Sequence, residues 1–476
     1  MKRFIEGVDR NQSTLFPERL EDYIGEDNPV RVVDAFVGAL DLRTLGFEGV
    51  DPHATGRPAY HPAVLLKIYI YGYLNRIQSS RRLARETDRN VELMWLTERL
   101  SPDFKTIADF RKDNGKAIRR VCREFVLLCR RLDLFSQAIV AIDGSKFKAV
   151  NNRDKNFTPA KMKRRMEQIE ASIERYLGQL DSADRDEPSV AEAKTTRLKD
   201  KIAALKDEVA HLQGLETQML EAPDKQVSLT DPDARSMKTR GNGIVGYNVQ
   251  TAVDAEHHLI VAHEVTNTGS DRNQLAKMAR QARAEMAVED LTVVSDRGYY
   301  TSEEILACHE AGITTYLPKP QTSGNQAKGL FGRSDFHYRP EDDEYRCPAG
   351  ERLVWRFRCD EGGRTLDCYW SSACPSCSMK SQCTTGQQRR IKRWEHEAVL
   401  EAVQARLDRY PEKMRLRRQT VEHPFGTLKA WMGYTHFLTK TLPRVSTEMS
   451  LHVLAYNLKR VMNLLGVATL MDAVRA

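Results

Sequence analysis

The chain has 476 residues, 41% of them hydrophobic and 29% charged, and 73 basic against 66 acidic side chains give a formal net charge of +7. This composition is typical of a globular protein with two to four compact units and excludes a largely disordered chain. No run of about 18 consecutive apolar residues is present, and the opening MKRFIEGVDRNQ lacks the apolar stretch of a secretory leader. We therefore expect a cytoplasmic protein.

The first 137 residues carry mainly helical patterns. HPAVLLKIYIYGYL is an apolar helix with Pro62 near its start, where a missing N–H has no cost. Short helices with exposed arginines fit either a helix-turn-helix-like DNA-binding domain or a purely structural bundle. Basic clusters recur later, as in QQRRIKRW (387–394) and KMRLRRQ (413–419). Each alone is typical of a solvated helix face, whereas together they favour a nucleic-acid partner.

The clearest periodicity lies in residues 158–225. Apolar side chains step by four and three residues from Met162 to Leu180, and again from Leu198 to Leu212. An apolar period of about 3.5 residues places a continuous seam between two helices. We therefore predict a coiled-coil helical hairpin inserted into a compact domain.

Strand patterns flank this hairpin, in AIVAIDGSKFKAV, GIVGYNVQTAVDAEHHLIVAHEVT and LTVVSDRGYY. Strands followed by helices predict a mixed α/β domain. Asp143 and Asp296 each stand where an apolar strand is expected to end, and functional groups collect at strand ends in such sheets. For either residue alone a turn aspartate is the simpler interpretation. Two carboxylates close together repel each other, and a bound divalent cation relieves that repulsion.

The segment RLRRQTVEHPFGTLKAW, residues 415–431, offers a third acid. In a helix, Arg418 lies one turn before Glu422 and Lys429 two turns after it, which puts all three near one face. This spacing is typical of a surface salt-bridge ladder. It is equally that of a metal ligand flanked by cations that hold phosphates.

Six of the nine cysteines fall between positions 347 and 383. Disulfides are rare in a reducing cytosol, and a C-x-x-C turn is a frequent zinc half-site. The preferred ligands of a structural Zn²⁺ are Cys347, Cys374, Cys377 and Cys383. Cys359 or Cys368 could substitute for one of them, and a group of reduced thiols in a small sheet is the alternative.

The motifs AIDGSKF, GYNVQTAVD, VVSDRGYY and RQTVEHPFGTLK, in this order, resemble a bacterial insertion-sequence transposase of the DDE superfamily. GRPAYHPAVLLKIYIYGYLN and SPDFKTIADFRK resemble the helical domain that precedes the catalytic core in such proteins, so the likeness runs from about 25 to 465. Arg418, Glu422 and Lys429 match the tyrosine–arginine–glutamate–lysine signature. The chain departs from it at the tyrosine, where Arg415 stands, and we do not assign the tyrosine's role to that arginine.

The resemblance implies Asp143, Asp296 and Glu422 as catalytic ligands of two Mg²⁺ or Mn²⁺ ions, with Arg418 and Lys429 holding DNA phosphates. It implies a DNA transposase that binds terminal repeats, cleaves the transposon ends and joins them to target DNA by in-line attack. Double-stranded DNA and a second copy of the chain are the expected partners, at the bacterial nucleoid. A nuclease of the same fold without strand transfer and a catalytically silent DNA-binding derivative are the alternatives.

The expected fold class is α/β, a ribonuclease H-like mixed-sheet domain with an N-terminal all-α DNA-binding domain and two insertions. The expected domains are the helical domain 1–137, the catalytic domain 138–157 with 226–318 and 395–466, the hairpin 158–225 and the Cys-rich insertion 319–394. Asp254 and Asp271 are further acids of the catalytic domain. We expect them in turns or at helix starts, with support of the metal shell as the alternative.

Overall fold

A computed structural model describes residues 19–475 except 53–57, 136, 152–154, 184–187, 223, 240–242 and 321–323, and leaves the side chains of 181–194 and 326 undescribed. The helices are α1 Pro29–Gly38, α2 Pro62–Leu74, α3 Ser80–Thr87, α4 Val91–Leu96, α5 Phe104–Asp113, α6 Gly115–Arg131, α7 Pro159–Ala183, α8 Pro188–Glu221, α9 Leu275–Met286, α10 Ser302–Glu310, α11 Glu397–Arg409, α12 Lys413–Gly426, α13 Leu442–Leu465 and α14 Val467–Arg475. The strands are β1 Ile139–Lys148, β2 Asn156–Phe157, β3 Val227–Ser228, β4 Arg235–Met237, β5 Ile244–Asp254, β6 Ile260–Thr266, β7 Leu291–Ser295, β8 Ile313–Tyr316, β9 His337–Arg339, β10 Glu344–Arg346, β11 Arg352–Glu361, β12 Arg364–Trp370 and β13 Ile391–Trp394.

The central sheet is mixed. Its strands lie in the spatial order β6, β5, β1, β7, β8, and β4 pairs with the start of β5. β5 runs antiparallel to β1 and to β6, whereas β7 and β8 run parallel to β1. Three antiparallel strands followed by two parallel strands, in the order 3-2-1-4-5, form the ribonuclease H-like arrangement. The predicted fold class is therefore confirmed.

Strand β1 does not end at Asp143, so that expectation is wrong. The strand continues to Lys148, because β5 is long enough to pair with every residue from 140 to 148. What ends beside Asp143 is the parallel pairing with β7, whose final pair is Ile142 with Ser295. Asp143 thus lies just beyond the last residue of β1 that pairs with β7. It is still paired with β5, which keeps the backbone extended on both sides of it.

One hydrophobic core joins the N-terminal helices to the sheet. Helix α13 is buried along most of its length and packs against α2, α6 and β6, which places it between the two regions. Cys122 and Cys129 of α6 are buried in this core, as their helical spacing predicts. Within the described part of the chain, no helix is long and apolar enough to cross a membrane.

Helices α7 and α8 pack against each other beside the sheet. Their shared apolar seam includes Met162, Ile169 and Leu212, and Arg165 lies 2.6 Å from Glu208 across it. The polar segment between the two helices includes 184–187, which lie outside the described residues. A second sheet, with strands in the order β13, β12, β11, β10, β9, occupies the Cys-rich region and is antiparallel throughout.

Candidate active site

Strand register places Asp143 and Asp296 side by side. Ile142 of β1 pairs with Ser295 of β7 in parallel, so the next residue on each strand is one of the two aspartates. Neighbouring strands are about 4.8 Å apart. Two residues 153 positions apart in sequence therefore become neighbours through backbone hydrogen bonds alone.

The two carboxylates converge on a single cation. Arg417 Nη2 lies 2.8 Å from Asp143 Oδ2 and 3.7 Å from Asp296 Oδ2, so these two oxygens are separated by no more than the sum of those distances. Their other oxygens accept backbone N–H groups. Asp143 Oδ1 accepts from Gly144 at 2.9 Å, and Asp296 Oδ1 accepts from Gly298 at 2.8 Å at the start of a short 3₁₀ turn.

The pKa of Asp143 reflects this crowding. Burial raises it to about 6, while the Arg417 guanidinium and the Gly144 N–H act to lower it. The negative charges of Asp296 and Asp271 contribute smaller parts of the same increase. Three carboxylates therefore act on the same small region, which is an environment that favours a bound cation.

Helix α12 lies across β1 and β7 and supplies Arg417. Met414 and Val421, seven residues apart on one helix face, pack against Ala141 of β1 and Val294 of β7. Arg417 is three residues after Met414 and four before Val421, so it points toward the same strands. Sequence reasoning missed this arginine, although its position between two apolar residues at helical spacing was a usable signal.

Arg418 and Glu422 lie one position further around the helix and are exposed. Neither forms a hydrogen bond or ion pair with another residue in the described part of the chain, and Glu422 contacts neither aspartate in this way. Across the same residues, no three His, Cys, Asp or Glu side chains are close enough to hold a metal ion together. The structure thus unites two members of the predicted triad, and the role of Glu422 stays a prediction.

Lys429 lies against β1. Helix α12 continues through Pro424 and passes into a π-helical turn at Thr427–Trp431, which alters the spacing expected for a regular helix. The Lys429 ammonium donates to Ser145 Oγ at 2.6 Å and to the Lys146 carbonyl at 3.1 Å. Burial, and then the charge of Lys146, lower its pKa. This cation is therefore held two to three residues beyond Asp143 on the same strand.

The six clustered cysteines divide into two groups. One small cavity is lined by Cys347, Cys374, Cys377 and Cys383. Cys359 and Cys368 lie on neighbouring strands β11 and β12 with their sulfurs 3.8 Å apart, and they are not among the residues that line the cavity. No three of the described thiols are at metal-binding distance from a common point. The zinc site stays a prediction, but the structure separates the preferred four from the substitutes.

Asp254 and Asp271 differ in their settings. Asp254 is fully buried and accepts the backbone N–H groups of Glu256 and His257, which is the predicted turn role. Asp271 precedes α9 but does not cap it with its side chain. Instead, its Oδ1 accepts the side-chain amides of Asn248 and Gln250 from β5, each at 2.7 Å. Asp271 thus lies at the turn before α9, where its carbonyl accepts the Gln274 N–H at 3.2 Å, while its side chain binds β5 instead of the helix end.

No curated protein matches the chain. Among solved structures, the piggyBac transposase synaptic complex with hairpin DNA aligns with 10% identity and a TM-score of 0.34, over 94% of this chain and 79% of that chain. A likeness at that score supports no conclusion about the site.

Two family profiles match the sequence. The transposase domain described as DUF772 matches residues 18–113, which include helices α1 to α5. The transposase DDE domain matches residues 217–458, a range that includes Asp296, Arg417 and Glu422 but begins after Asp143. Asp143 enters the site through its register with the strand that ends beside Asp296. Because the second match alone covers half of the sequence, this chain belongs to the DDE transposase family.

Proposed function

We propose that this protein is a DNA transposase that binds terminal repeats, cleaves the transposon ends and joins them to target DNA. Its catalytic carboxylates are Asp143, Asp296 and Glu422. The observation that carries the proposal is that Asp143 and Asp296, in a chain of the DDE transposase family, converge on one cation where the parallel pairing of β1 with β7 ends. The enzyme acts in the cytoplasm, at the nucleoid.

The donor set suits a hard divalent ion. The Arg417 guanidinium stands between two carboxylates, and Mg²⁺ and Mn²⁺ prefer oxygen ligands of this kind. Glu422 is on the helix that covers the same two strands and is exposed, so its carboxylate has no competing partner among the described residues. When bound, two such ions activate the attacking oxygen and stabilise the leaving oxygen of an in-line displacement.

The basic side chains of the same helix have separate roles in the proposal. Arg418 is exposed and unpaired within the described residues, so its planar guanidinium is free to bind a DNA phosphate. Lys429, beside Ser145 on β1, places a second positive charge near the carboxylates. Arg417 neutralises Asp143 and Asp296 while no metal is bound. Cutting two transposon ends in one event favours a homodimer on double-stranded DNA.

The test uses the purified protein, a labelled DNA duplex that ends in the element's terminal repeat, and a target plasmid. We expect cleavage and a joined product with Mg²⁺ or Mn²⁺ and neither with EDTA. Cleavage without any joined product would assign the protein to nucleases of the same fold. DNA binding without cleavage, in Mg²⁺ as well as in Mn²⁺, would assign the protein to the catalytically silent derivatives of a transposase. Either outcome contradicts the proposal.

For the Cys-rich insertion we propose a structural Zn²⁺ on the four cysteines that line one cavity. Four thiols around one space suit zinc, because thiolates neutralise the dication and fill a tetrahedral shell. The paired variant Cys374→Ser/Cys377→Ser should purify without zinc. The matched variant Cys359→Ser/Cys368→Ser, in the same insertion, should retain one zinc per chain. Metal analysis by mass spectrometry decides, and equal zinc content in the two variants would disprove the assignment.

A further inference from the structure

A buried polar network lies directly beside Asp143, and the proposed function does not use it. It joins Asn248 and Gln250 of β5 with Tyr299 and Asp271. Asn248, Gln250 and Tyr299 are fully buried. The Tyr299 hydroxyl donates to Gln250 Oε1, which leaves the Gln250 amide N–H to donate to Asp271 Oδ1. Both side-chain amides thus present donors to Asp271, and these two hydrogen bonds fix the position of its side chain.

Gly144 is what lets Asp271 approach the strand. It pairs with Gln250 across β1 and β5, one position after Asp143. A Cβ atom at this position would lie 2.7 Å from Asp271 Oδ1 and would collide with the Gln250 amide. Any side chain larger than glycine would therefore displace Asp271 or Gln250 from its place against β1. In the sequence Asp143-Gly144, the first residue supplies a carboxylate, and the second leaves the space that the Asp271 carboxylate occupies.

Asn248 has an unpaired buried acceptor in the same place. Its Nδ2 donates to Asp271 and to the Thr268 carbonyl at 3.2 Å, which fixes the orientation of the amide. Its Oδ1 is buried without a partner among the described residues and lies 3.1 Å from the Cβ position of Gly144. A buried acceptor left without a donor costs about 1–3 kcal/mol. An ordered water molecule beside Gly144 would satisfy it.

We propose that Asp271 is a positioning residue of the divalent-cation site, where it and Asn248 Oδ1 hold water of the ion's hydration shell. The proposal rests on the catalytic site proposed above. Side-chain amides fix Asp271, so its negative charge does not relax away from the site. A fixed carboxylate beside Gly144, the residue after Asp143, favours a dication at the site by electrostatic attraction, and outer partners of this kind typically change metal affinity about 10–100-fold. Lys146, whose Nζ lies 3.8 Å from Asp271 Oδ2, partly offsets that charge.

The test measures Mn²⁺ binding by calorimetry on the full-length protein after chelation and dialysis. Asp271→Asn should weaken binding about 10-fold or more. The matched control is Asp254→Asn, which neutralises another aspartate of this domain, one whose Oδ2 accepts two backbone N–H groups of a turn. The control should bind Mn²⁺ as the wild type does. Wild-type affinity in Asp271→Asn would overturn the proposal.

A second variant has the opposite predicted sign. Lys146→Met removes the cation that faces Asp271, so Mn²⁺ should bind about 3–10-fold more tightly. A merely structural role for Asp271 predicts no such gain, and unchanged or weaker binding in a folded Lys146→Met protein would also overturn the proposal. Asp143→Asn separates the two proposals. If it binds Mn²⁺ as tightly as the wild type, the catalytic site itself is wrong. If it loses binding while Asp271→Asn and Lys146→Met behave as the wild type, only the role of Asp271 is wrong.

Discussion

The candidate site has a sheet half and a helix half, and they are determined in different ways. In the sheet half, backbone pairing between β1 and β7 places Asp143 beside Asp296. In the helix half, the rotation of α12 decides which side chain reaches the strands, and it is Arg417 rather than Arg418. Strand register is set by many hydrogen bonds at once, whereas a helix face depends on packing at a few apolar positions.

The largest effect should come from the carboxylates themselves, on both halves. Asp143→Asn, Asp296→Asn and Glu422→Gln should each reduce metal-dependent DNA cleavage by about 1,000-fold or more, or about 4 kcal/mol of transition-state stabilisation. DNA binding, measured by gel shift at fixed salt, should persist in all three. Near-normal cleavage by Glu422→Gln alone would leave the sheet half in place and remove the helix half from the catalytic site.

A second effect distinguishes adjacent arginines of the helix half. Arg417→Met leaves two crowded carboxylates without their cation, so the metal-free protein should lose about 3 kcal/mol of unfolding free energy. Arg418→Met removes an exposed and unpaired side chain and should change stability by less than about 0.5 kcal/mol. Urea denaturation at pH 7 measures both. Equal losses would show that the rotation of α12 described here is wrong.

A third pair compares glycines of the two halves. Gly144→Ala should destabilise the protein by about 2 kcal/mol, because its Cβ atom would meet Asp271 and Gln250, both held by hydrogen bonds. Gly426→Ala, at the last residue of α12 with nothing within 4 Å, should be neutral or gain up to about 1 kcal/mol. Thermal unfolding measures the difference, and a tolerated Gly144→Ala would contradict the crowding beside β1.

The last effect is a pH dependence of the sheet half. Burial raises the pKa of Asp143 to about 6, above the value of an unfolded aspartate, so the folded state binds the proton more tightly. The contribution of Asp143 to the unfolding free energy of the metal-free protein should therefore fall as pH rises from about 4 to 6 and then level off. Asp143→Asn should abolish this contribution. Subtracting its pH profile from that of the wild type cancels the titration of Asp254, whose pKa burial also raises to about 6, and of His258 and His263, whose pKa values burial lowers to about 4. An identical pH profile in the variant would contradict the raised pKa.

Much of the sheet half could be predicted from the sequence. Apolar runs ending beside Asp143 and Asp296 identified the two strands and the pair of acids that the structure brings together. The length of β1 could not be read, because its second part, Gly-Ser-Lys-Phe-Lys, carries polar residues and owes its extended form to pairing with β5. The side-chain partners of Asp271 could not be predicted for a similar reason. Its partners Asn248 and Gln250 lie on strand β5, more than 20 residues earlier in the sequence. The sequence around Asp271 does not predict a contact over that distance.

The helix half was harder to predict. The spacing of Arg418, Glu422 and Lys429 assumed one regular helix, yet the π-helical turn at Thr427–Trp431 changes the direction of Lys429. The spacing of these three charged residues does not identify Arg417, because it does not show which face of the helix packs on the sheet. Met414 and Val421 answer that question, since both contact buried residues of β1 and β7. The apolar residues, rather than the spacing of the charged ones, determine which face of the helix packs on the sheet.

The most direct test of the central claim is an anomalous diffraction map from crystals of the protein grown with Mn²⁺. We expect a manganese peak within about 2.5 Å of carboxylate oxygens from both Asp143 and Asp296, with Glu422 turned toward it and Arg417 displaced. Manganese bound elsewhere, with Arg417 still between the two aspartates, would contradict the account.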